Sequence, residues 1–173
     1  SSFSGKAITA NGDAKTVGGG KIGNALYFDG TGDYVSLADS EDWNFGSGDF
    51  TVDFWFKINS LSASDNKLLS QSDGTNYSVY FAISGGNGKI DFGSYTSASN
   101  WYITSNRSFT NDTNWHHVSG VRSGSNVVLY IDGISEATGT FSGTIGNVAD
   151  VLRIGSYKGS VDYYYNGWID EAR

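Results

Sequence analysis

The sequence predicts an all-β protein, a sandwich of two antiparallel β-sheets. Short apolar segments alternate strictly with polar residues, which is the period of two expected of a strand that buries one face. Turn-forming residues separate these segments, and the 173 residues include 24 glycines but no proline. No segment shows a helical period over three turns. Many short strands at regular spacing therefore indicate a sandwich.

The strands can be placed one by one along the chain. In DFTVDFWFKI, residues 49–58, phenylalanine, valine and isoleucine share one face, and Asp53, Trp55 and Lys57 share the other. The same alternation recurs in five later segments: residues 76–83, 115–121, 126–132, 150–156 and 165–172.

Two turns can also be assigned. Asp132-Gly133 separates two strand segments and is a dipeptide that accepts the positive φ angles of a type I′ turn, so it predicts a hairpin. The sequence GGNGK, residues 85–89, predicts a second turn between neighbouring strands.

Length and composition limit the function classes. The 173 residues fit one domain, 1–173, with no linker that would divide it. A formal net charge of -7 disfavours binding to nucleic acid, and no apolar segment is long enough for membrane insertion. Without cysteine the chain has neither disulfides nor thiolate metal sites.

Five blocks of sequence resemble the laminin-G-like, concanavalin A-like jelly-roll domains in order and spacing. The blocks are GKIGNALYFDGTGDYVSL (20–37), SGDFTVDFWFKI (47–58), NWHHVSGVRSGSNVVLYIDG (114–133), LRIGSY (152–157) and YNGWIDEAR (165–173). The resemblance extends from about residue 6 to the end of the chain. It implies a jelly roll of two curved sheets, each of about six or seven strands, with the N- and C-terminal strands adjacent.

The resemblance also implies a class of function. Members of this family serve as carbohydrate-binding modules, adhesin domains, parts of surface proteins, and phage or viral structural proteins. We therefore expect a non-catalytic carbohydrate-binding or adhesion module, located outside the cell, on the cell surface or on a virion surface. Its partner would be a glycan or a cell-surface receptor.

Since such domains usually continue beyond IDEAR, we expect this one to be excised from a larger multidomain protein. Two alternatives stay open: a structural or receptor-binding domain of a phage particle, and a divergent glycan hydrolase or lyase.

A structural Ca²⁺ ion is a further implication of the resemblance. Carried over residue by residue, its ligands are Asp29, Asp170 and the backbone carbonyl of Gly48 or a neighbour. Water and further carbonyls would complete the six to eight oxygens that Ca²⁺ requires. Such an ion would tie the first and last strands together. The competing interpretation is that Asp29-Gly30 and Asp33 only form turns.

Catalytic patterns are not found in the sequence. Related jelly-roll glucanases carry their carboxylates as a short acidic run on one strand, but none of the three glutamates, at 41, 136 and 171, begins such a run. Asp170 and Glu171 are adjacent, as are His116 and His117, so each pair is predicted to point to opposite faces. We therefore expect no enzyme activity.

Seven aromatic residues in two polar segments are candidates for ligand binding: Tyr95, Trp101, Tyr102, Tyr157, Tyr163, Tyr164 and Tyr165. Flat rings with polar groups suit the C–H faces and hydroxyls of sugars. Alternation along the strand means that the three consecutive tyrosines cannot all contact ligand. The same rings could instead pack over the sandwich edges or form a protein interface.

The remaining tryptophans have a different expected role. Trp43, Trp55, Trp115 and Trp168 are expected in or near the core, at positions that the family shares.

Overall fold

A computed structural model describes residues 6–158 and 163–173. This part of the chain forms fourteen β-strands and a single-turn 3-10 helix, Glu41–Trp43. The strands are β1 (Ile8–Asn11), β2 (Lys15–Gly18), β3 (Asn24–Asp29), β4 (Tyr34–Leu37), β5 (Phe50–Ser60), β6 (Asn66–Ser72), β7 (Tyr77–Ile83), β8 (Lys89–Tyr95), β9 (Asn100–Ser108), β10 (Trp115–Ser123), β11 (Asn126–Ile131), β12 (Ile134–Thr140), β13 (Leu152–Ile154) and β14 (Asn166–Asp170).

The strands form two antiparallel sheets of seven strands each. The order in the first sheet is β1-β4-β13-β6-β7-β8-β9, and the order in the second sheet is β12-β11-β10-β5-β14-β3-β2. The predicted all-β fold, a sandwich of two antiparallel sheets, is confirmed.

The last strand lies beside the first strand that the family resemblance marks. This first strand, ALYFD, is part of β3, and β14 pairs with β3 on one side and with β5 on the other. Two short strands precede β3, and the first of them, β1, pairs with β4 at the edge of the first sheet.

Both predicted turns are present. Ile131 pairs with Ile134 across the β11–β12 hairpin, and Asp132 and Gly133 have φ angles of 53° and 79°. Between β7 and β8, Ser84 N–H donates to the carbonyl of Lys89 at 2.9 Å.

The core is built from the inward-facing positions of both sheets. Phe54 of the second sheet meets Phe81 of the first edge to face, with 5.2 Å between the ring centroids, and Phe81 stacks on Phe92 at 4.8 Å. Gly120 lies opposite these rings, and a Cβ atom there would come within 2.7 Å of Phe81 and Phe92. A glycine at this position lets the two sheets approach closely.

Strand β6 was missed by the sequence analysis because its residues do not alternate. All seven are buried. The chain after β13 covers the outer side of this strand, where the backbone N–H of Lys67 donates to the carbonyl of Tyr163 at 3.3 Å. The hydroxyl of Ser70 donates to the carbonyl of Ser156 at 3.0 Å. A strand that is covered on both faces has no face exposed to solvent, so its sequence need not alternate between apolar and polar residues.

The tryptophans divide between two environments. Trp43 is buried in the core, as expected. Trp55, Trp115 and Trp168 are half-buried and alternate with core residues of β5, β10 and β14, so they lie on the outer face of the second sheet. These three tryptophans therefore belong to strands that contribute to the core, but their own rings point away from it.

Candidate functional site

The outer face of the first sheet contains a cleft of about 250 Å³, which we call the tyrosine cleft. Its lining residues come from four neighbouring strands, β6 to β9: Lys67, Tyr77, Tyr80, Ser94, Tyr95, Asn100 and Tyr102. Two of the predicted residues form its rim, since Tyr95 is 52% exposed and Tyr102 is 63% exposed. The cleft therefore presents flat apolar rings, two accessible phenols and one amide to solvent.

Alternation along the strands explains why these side chains share a face. In β7, Val79 and Phe81 point into the core, so Tyr80 points outward. In β9, Ile103 is buried and Tyr102 is exposed. The register then brings Tyr102 beside Gly93 of β8. A Cβ atom at Gly93 would come within 2.6 Å of the Cβ atom of Tyr102, so glycine at this position lets Tyr102 pack closely against β8.

Lys67 forms the base of the tyrosine cleft. Its side chain is only 7% exposed, and its ammonium group forms an ion pair of 3.1 Å with Asp65. The Nζ atom also lies 5.5 Å from the ring centroid of Tyr77, 4.9 Å from that of Tyr80 and 5.7 Å from that of Tyr163. Three cation–π contacts on one buried lysine hold these rings in place.

Two more predicted tyrosines extend the aromatic surface. Tyr157 stacks on Tyr77 with 5.6 Å between centroids, and Tyr163 packs on Tyr157 at 5.0 Å. The structure thus brings together Tyr95, Tyr102, Tyr157 and Tyr163, although the two segments are distant in sequence.

Burial raises the pKa values of Tyr77 and Tyr80, the two less exposed tyrosines of the cleft. It raises the pKa of Tyr77 well above its usual value, and the neighbouring Tyr157 adds to this effect. Burial, followed by the charge of Asp91, likewise raises the pKa of Tyr80. Both hydroxyls are protonated at neutral pH, as an unshifted tyrosine would be, and that of Tyr77 interacts with Tyr157.

Asp91 lies on the same outer face, next to Tyr80. Burial raises the pKa of this carboxyl group, although the hydroxyl of Thr104 donates to it at 2.6 Å and acts in the opposite direction. The carboxylate is therefore held in an environment that disfavours its charge.

The other predicted aromatic residues lie elsewhere. Trp101 points inward, where its ring meets Phe92 edge to face and stacks on Phe141. Tyr165 is 0% exposed and belongs to the core. The predicted ligand contacts of Trp101 and Tyr165 do not agree with the structure. Neither ring faces the tyrosine cleft, and a ligand outside the sandwich cannot reach Tyr165. Tyr164 is half-buried and is not among the residues that line the cleft.

Sequence reasoning did not identify Lys67, Tyr77 or Tyr80. For Tyr80 a signal existed, because the alternation in residues 76–83 already places it opposite Val79 and Phe81. No comparable signal existed for Lys67, since β6 does not alternate and its neighbours come from distant segments.

The residues proposed for calcium do not form one site. Asp29 pairs with Asn166 at the start of β14, whereas Asp170 ends that strand, so four strand residues, roughly 13 Å, separate the two aspartates. Asp170 pairs with Trp55, and Gly48 precedes the far end of β5. The three-residue calcium site Asp29–Gly48–Asp170 was therefore wrong as a single site.

Both aspartates instead shape the backbone. Asp29 accepts a hydrogen bond from the N–H of Thr31 at 2.7 Å, which closes a turn. Asp170 is buried and accepts from the N–H groups of Ile22 and Glu171, each at 2.9 Å. It thereby ties the loop before β3 to the last strand.

Asp33 has a similar role, at 1% exposure. It accepts from the backbone N–H groups of Asp13 and Asp29. The interpretation that Asp29 and Asp33 form turns agrees with these contacts. Within residues 6–158 and 163–173, no three histidine or acidic side chains come together as a metal site.

The two histidines face opposite sides of β10, as their adjacency predicts. His116 is buried, with its Nδ1 atom 2.8 Å from Asp132. His117 lies on the outer face of the second sheet, where it packs against Trp55 and lies 3.2 Å from Asp53.

The sequence of the chain matches a known protein family over nearly its whole length. The model for Laminin_G_3, described as the concanavalin A-like lectin/glucanases superfamily, matches residues 6–173. No curated protein sequence matches the chain. Among the described residues, no helix has the length and apolar character needed to cross a membrane.

Solved structures share this fold at low sequence identity. Domain 4 of AbnA, an extracellular GH43 arabinanase from Geobacillus stearothermophilus in complex with arabinotriose, has a TM-score of 0.71 and 22% identity, and the match covers 97% of this chain and 80% of that one. The binding domain of Paraclostridial Mosquitocidal Protein 1 has a TM-score of 0.74 and 16% identity, covering 95% of this chain and 42% of that one.

Domains LG4-5 of the mouse laminin alpha1 chain have a TM-score of 0.67 and 20% identity, with 92% of this chain and 40% of that one covered. This chain thus spans about two fifths of the mosquitocidal and laminin structures. At these identities the likeness shows the fold.

Proposed function

The chain belongs to the concanavalin A-like lectin/glucanases superfamily, and on that premise we propose that it is a non-catalytic module that binds a glycan in the tyrosine cleft. We further propose that the protein that contains it acts outside the cell or on a cell surface.

The observation that carries this proposal is the composition of the cleft. Rings from Tyr77, Tyr80, Tyr95 and Tyr102 surround one depression and supply apolar faces together with hydroxyl groups. Sugars present apolar C–H faces ringed by hydroxyls, so aromatic rings can stack on a sugar while phenols and an amide bind its rim. The inner rings are preorganised by Lys67, which reduces the entropy lost on binding.

A non-catalytic role is supported by the lining of the same cleft. Glycoside hydrolysis usually requires two carboxyl groups, one on each side of the scissile bond. None of the seven residues that line the tyrosine cleft is Asp or Glu. Lys67, the only cation among these seven residues, is already paired with Asp65, so the cleft suits an uncharged sugar ring better than an acidic one.

Two of the similar structures are consistent with glycan recognition on this fold. The Geobacillus domain is described in complex with arabinotriose, and the entry of botulinum neurotoxin type C into cells is described as dependent on interaction with two ganglioside molecules. We extend glycan binding to this chain as a proposal, since the identities are 22% and 15%.

A structural calcium ion stays a prediction from the family resemblance. The three predicted ligands, Asp29, Gly48 and Asp170, do not lie together in the structure. Such an ion would therefore have to be bound by a different set of oxygen atoms. The proposed glycan site does not depend on it.

The test is a glycan array followed by calorimetry. We expect the purified domain to bind a neutral oligosaccharide, with arabinotriose and laminarin fragments as the first probes. Tyr102→Ala and Tyr95→Ala should each weaken that binding at least about tenfold, because each removes one exposed ring from the rim.

Tyr130→Ala is the matched control. Tyr130 is likewise a tyrosine on a strand, although it is half-buried, and it lies on the second sheet. We expect its replacement to leave the affinity unchanged within about twofold. If no neutral glycan binds, or if the rim variants bind as well as the wild type, the tyrosine cleft is not a glycan site. A role in protein recognition or particle structure would then be favoured.

A further inference from the structure

The outer face of the second sheet carries an unusual row of lysines and aromatic rings. Register pairing places five residues side by side across five strands: Lys15 beside Tyr27, Tyr27 beside Trp168, Trp168 beside Lys57, and Lys57 beside Trp115. We call these five residues the lysine–aromatic row. At the usual strand spacing the row is about 19 Å long.

Four of the five side chains of the row are in contact. Lys15 Nζ lies 5.9 Å from the ring centroid of Tyr27, and Tyr27 packs on Trp168 at 5.1 Å. Lys57 Nζ lies 5.1 Å from the ring of Trp168. One row further along the sheet, Lys21 Nζ lies 4.3 Å above the ring of Trp55.

The charge of these lysines is not compensated by the described carboxylates. Six of the eleven lysines and arginines form an ion pair with a carboxylate of the described residues. The five without such a pair are Lys15, Lys21, Lys57, Lys89 and Arg122. Three of these five lie on this one face, each over an aromatic ring.

The carboxylates close to the row are already occupied. Asp170 accepts from the backbone N–H groups of Ile22 and Glu171. Asp53 accepts from the guanidinium of Arg173 at 2.9 Å and contacts His117 at 3.2 Å. These carboxylates keep their charge, but none of the described carboxylates lies within ion-pair distance of the three lysines, of which Lys15 and Lys21 are exposed and Lys57 is half-buried.

We propose that the lysine–aromatic row, together with Lys21 and Trp55, is a second binding site, specific for a polysaccharide whose sugar rings carry carboxylates. Aromatic rings at the sheet surface can stack on sugar rings, and the lysines beside them can pair with anions. This site is independent of the tyrosine cleft, because it lies on the opposite sheet.

The geometry favours a carboxylate over a sulfate ester. Each ammonium group lies 4.3–5.9 Å from the centroid of an aromatic ring, so positive charge and stacking surface are neighbours on this face. A uronic acid has the matching arrangement, because its carboxylate is bonded directly to the sugar ring. A sulfate ester projects its charge away from the ring on a flexible bond.

The test uses oligogalacturonate long enough to cross the row, titrated calorimetrically at low salt. We expect the wild type to bind it and the triple variant Lys15→Gln, Lys21→Gln, Lys57→Gln to lose at least about 30-fold in affinity. Glutamine keeps much of the stem of each side chain and removes only the charge. Lys89→Gln is the matched control, because Lys89 also lacks an ion pair with the described carboxylates but lies on the first sheet. It should bind within about twofold of the wild type.

Three results would overturn the proposal. The first is a wild type that does not bind oligogalacturonate, and the second is a triple variant that binds it unchanged. The third is equal or tighter binding of dextran sulfate, which would show a general attraction for polyanions. A circular dichroism melt of each variant verifies that it is folded. Binding of neutral oligosaccharide by the triple variant tests the tyrosine cleft separately, so failure of one site can be distinguished from failure of the other.

Discussion

The two outer faces of the sandwich use the same residue types and reach opposite electrostatic results. In the tyrosine cleft, one buried lysine contacts three rings and is neutralised by Asp65. On the second sheet, three lysines contact three rings, and none has an ion pair with a described carboxylate. The first face therefore suits an uncharged ligand and the second an anion.

This difference shows that composition alone is a poor guide to what a surface binds. A net charge of -7 is an average over the whole chain. The aspartates near the lysine–aromatic row direct their carboxylates at backbone amides or at Arg173 and not at the three lysines. Where the aspartates are used matters more than how many there are.

The largest effect is expected at Asp170, which lies at the end of the second face. Asp170→Ala removes two part-buried hydrogen bonds that the N–H groups of Ile22 and Glu171 donate to a charged acceptor, and should lower the free energy of unfolding by about 3 kcal/mol. Urea denaturation with and without a chelator measures this change. Asp29→Ala, at an exposed turn, is the control and should lose less than about 1 kcal/mol.

Denaturation in the presence of a chelator tests whether a metal ion is bound. Because the two aspartates do not share a site, we expect the chelator to affect either variant as much as it affects the wild type. A wild type destabilised by the chelator, with the effect absent from Asp170→Ala, would show a bound cation on this face. The comparison of the two faces would then have to include the charge of that cation.

A second prediction concerns how much each face contributes to stability. Trp168→Ala removes a half-buried ring that packs on Tyr27 and lies under Lys57, and should lower the free energy of unfolding by about 2 kcal/mol. Tyr102→Ala removes an exposed ring and should cost less than about 0.5 kcal/mol. Equal losses in thermal or urea denaturation would mean that the rim of the tyrosine cleft is also structural.

Salt should separate the two faces further. Raising the ionic strength from about 0.05 M to about 0.5 M should weaken oligogalacturonate binding at least about tenfold, since it screens exposed charges. Binding of a neutral oligosaccharide to the tyrosine cleft should change less than about twofold, because stacking does not depend on charge. Salt-independent binding of oligogalacturonate, measured by calorimetry, would contradict the role given to the three lysines.

The smallest effect is expected at Asp91, beside the tyrosine cleft. Burial raises the pKa of this carboxyl above its ordinary value of 3.8, so the folded state is penalised when Asp91 is ionised. Asp91→Asn should therefore raise the free energy of unfolding at pH 7 by about 0.5 kcal/mol, after allowance for solvent screening. The amide oxygen can still accept from Thr104.

The sign of this effect depends on pH. Below pH 3.8 the carboxyl is protonated in the folded and the unfolded state, so the advantage of the variant should vanish at about pH 3. Urea denaturation at both pH values measures the difference. An advantage that persists at about pH 3 would show that charge is not its cause.

Local pattern was sufficient for much of the fold. The alternation in residues 49–58 placed Trp55 and Lys57 opposite the phenylalanines, and the Asp132-Gly133 hairpin followed from turn chemistry. The alternation of apolar and polar residues did not reveal β6, because both faces of this strand are covered and polar residues such as Gln71 are buried.

The candidate sites were only partly predictable. Tyr95 and Tyr102 were recognised as exposed aromatic residues, and they do line a cleft. Trp101 and Tyr165 were chosen by the same criterion, but they lie inward. The polarity of a segment does not reveal which of its rings points to solvent when the strand boundaries are uncertain.

The sequence by itself determined the elements: strands with one apolar face, turns at glycine and aspartate, and a supply of aromatic rings for both surfaces. Only the tertiary structure decided which residues meet. Lys67 joins Tyr77 and Tyr163, Lys57 joins Trp168 and Trp115, and Asp29 is separated from Asp170, all through the order and register of strands distant in sequence. The physical reason is that side-chain periodicity is a local property, whereas strand pairing is chosen by the packing of the whole core.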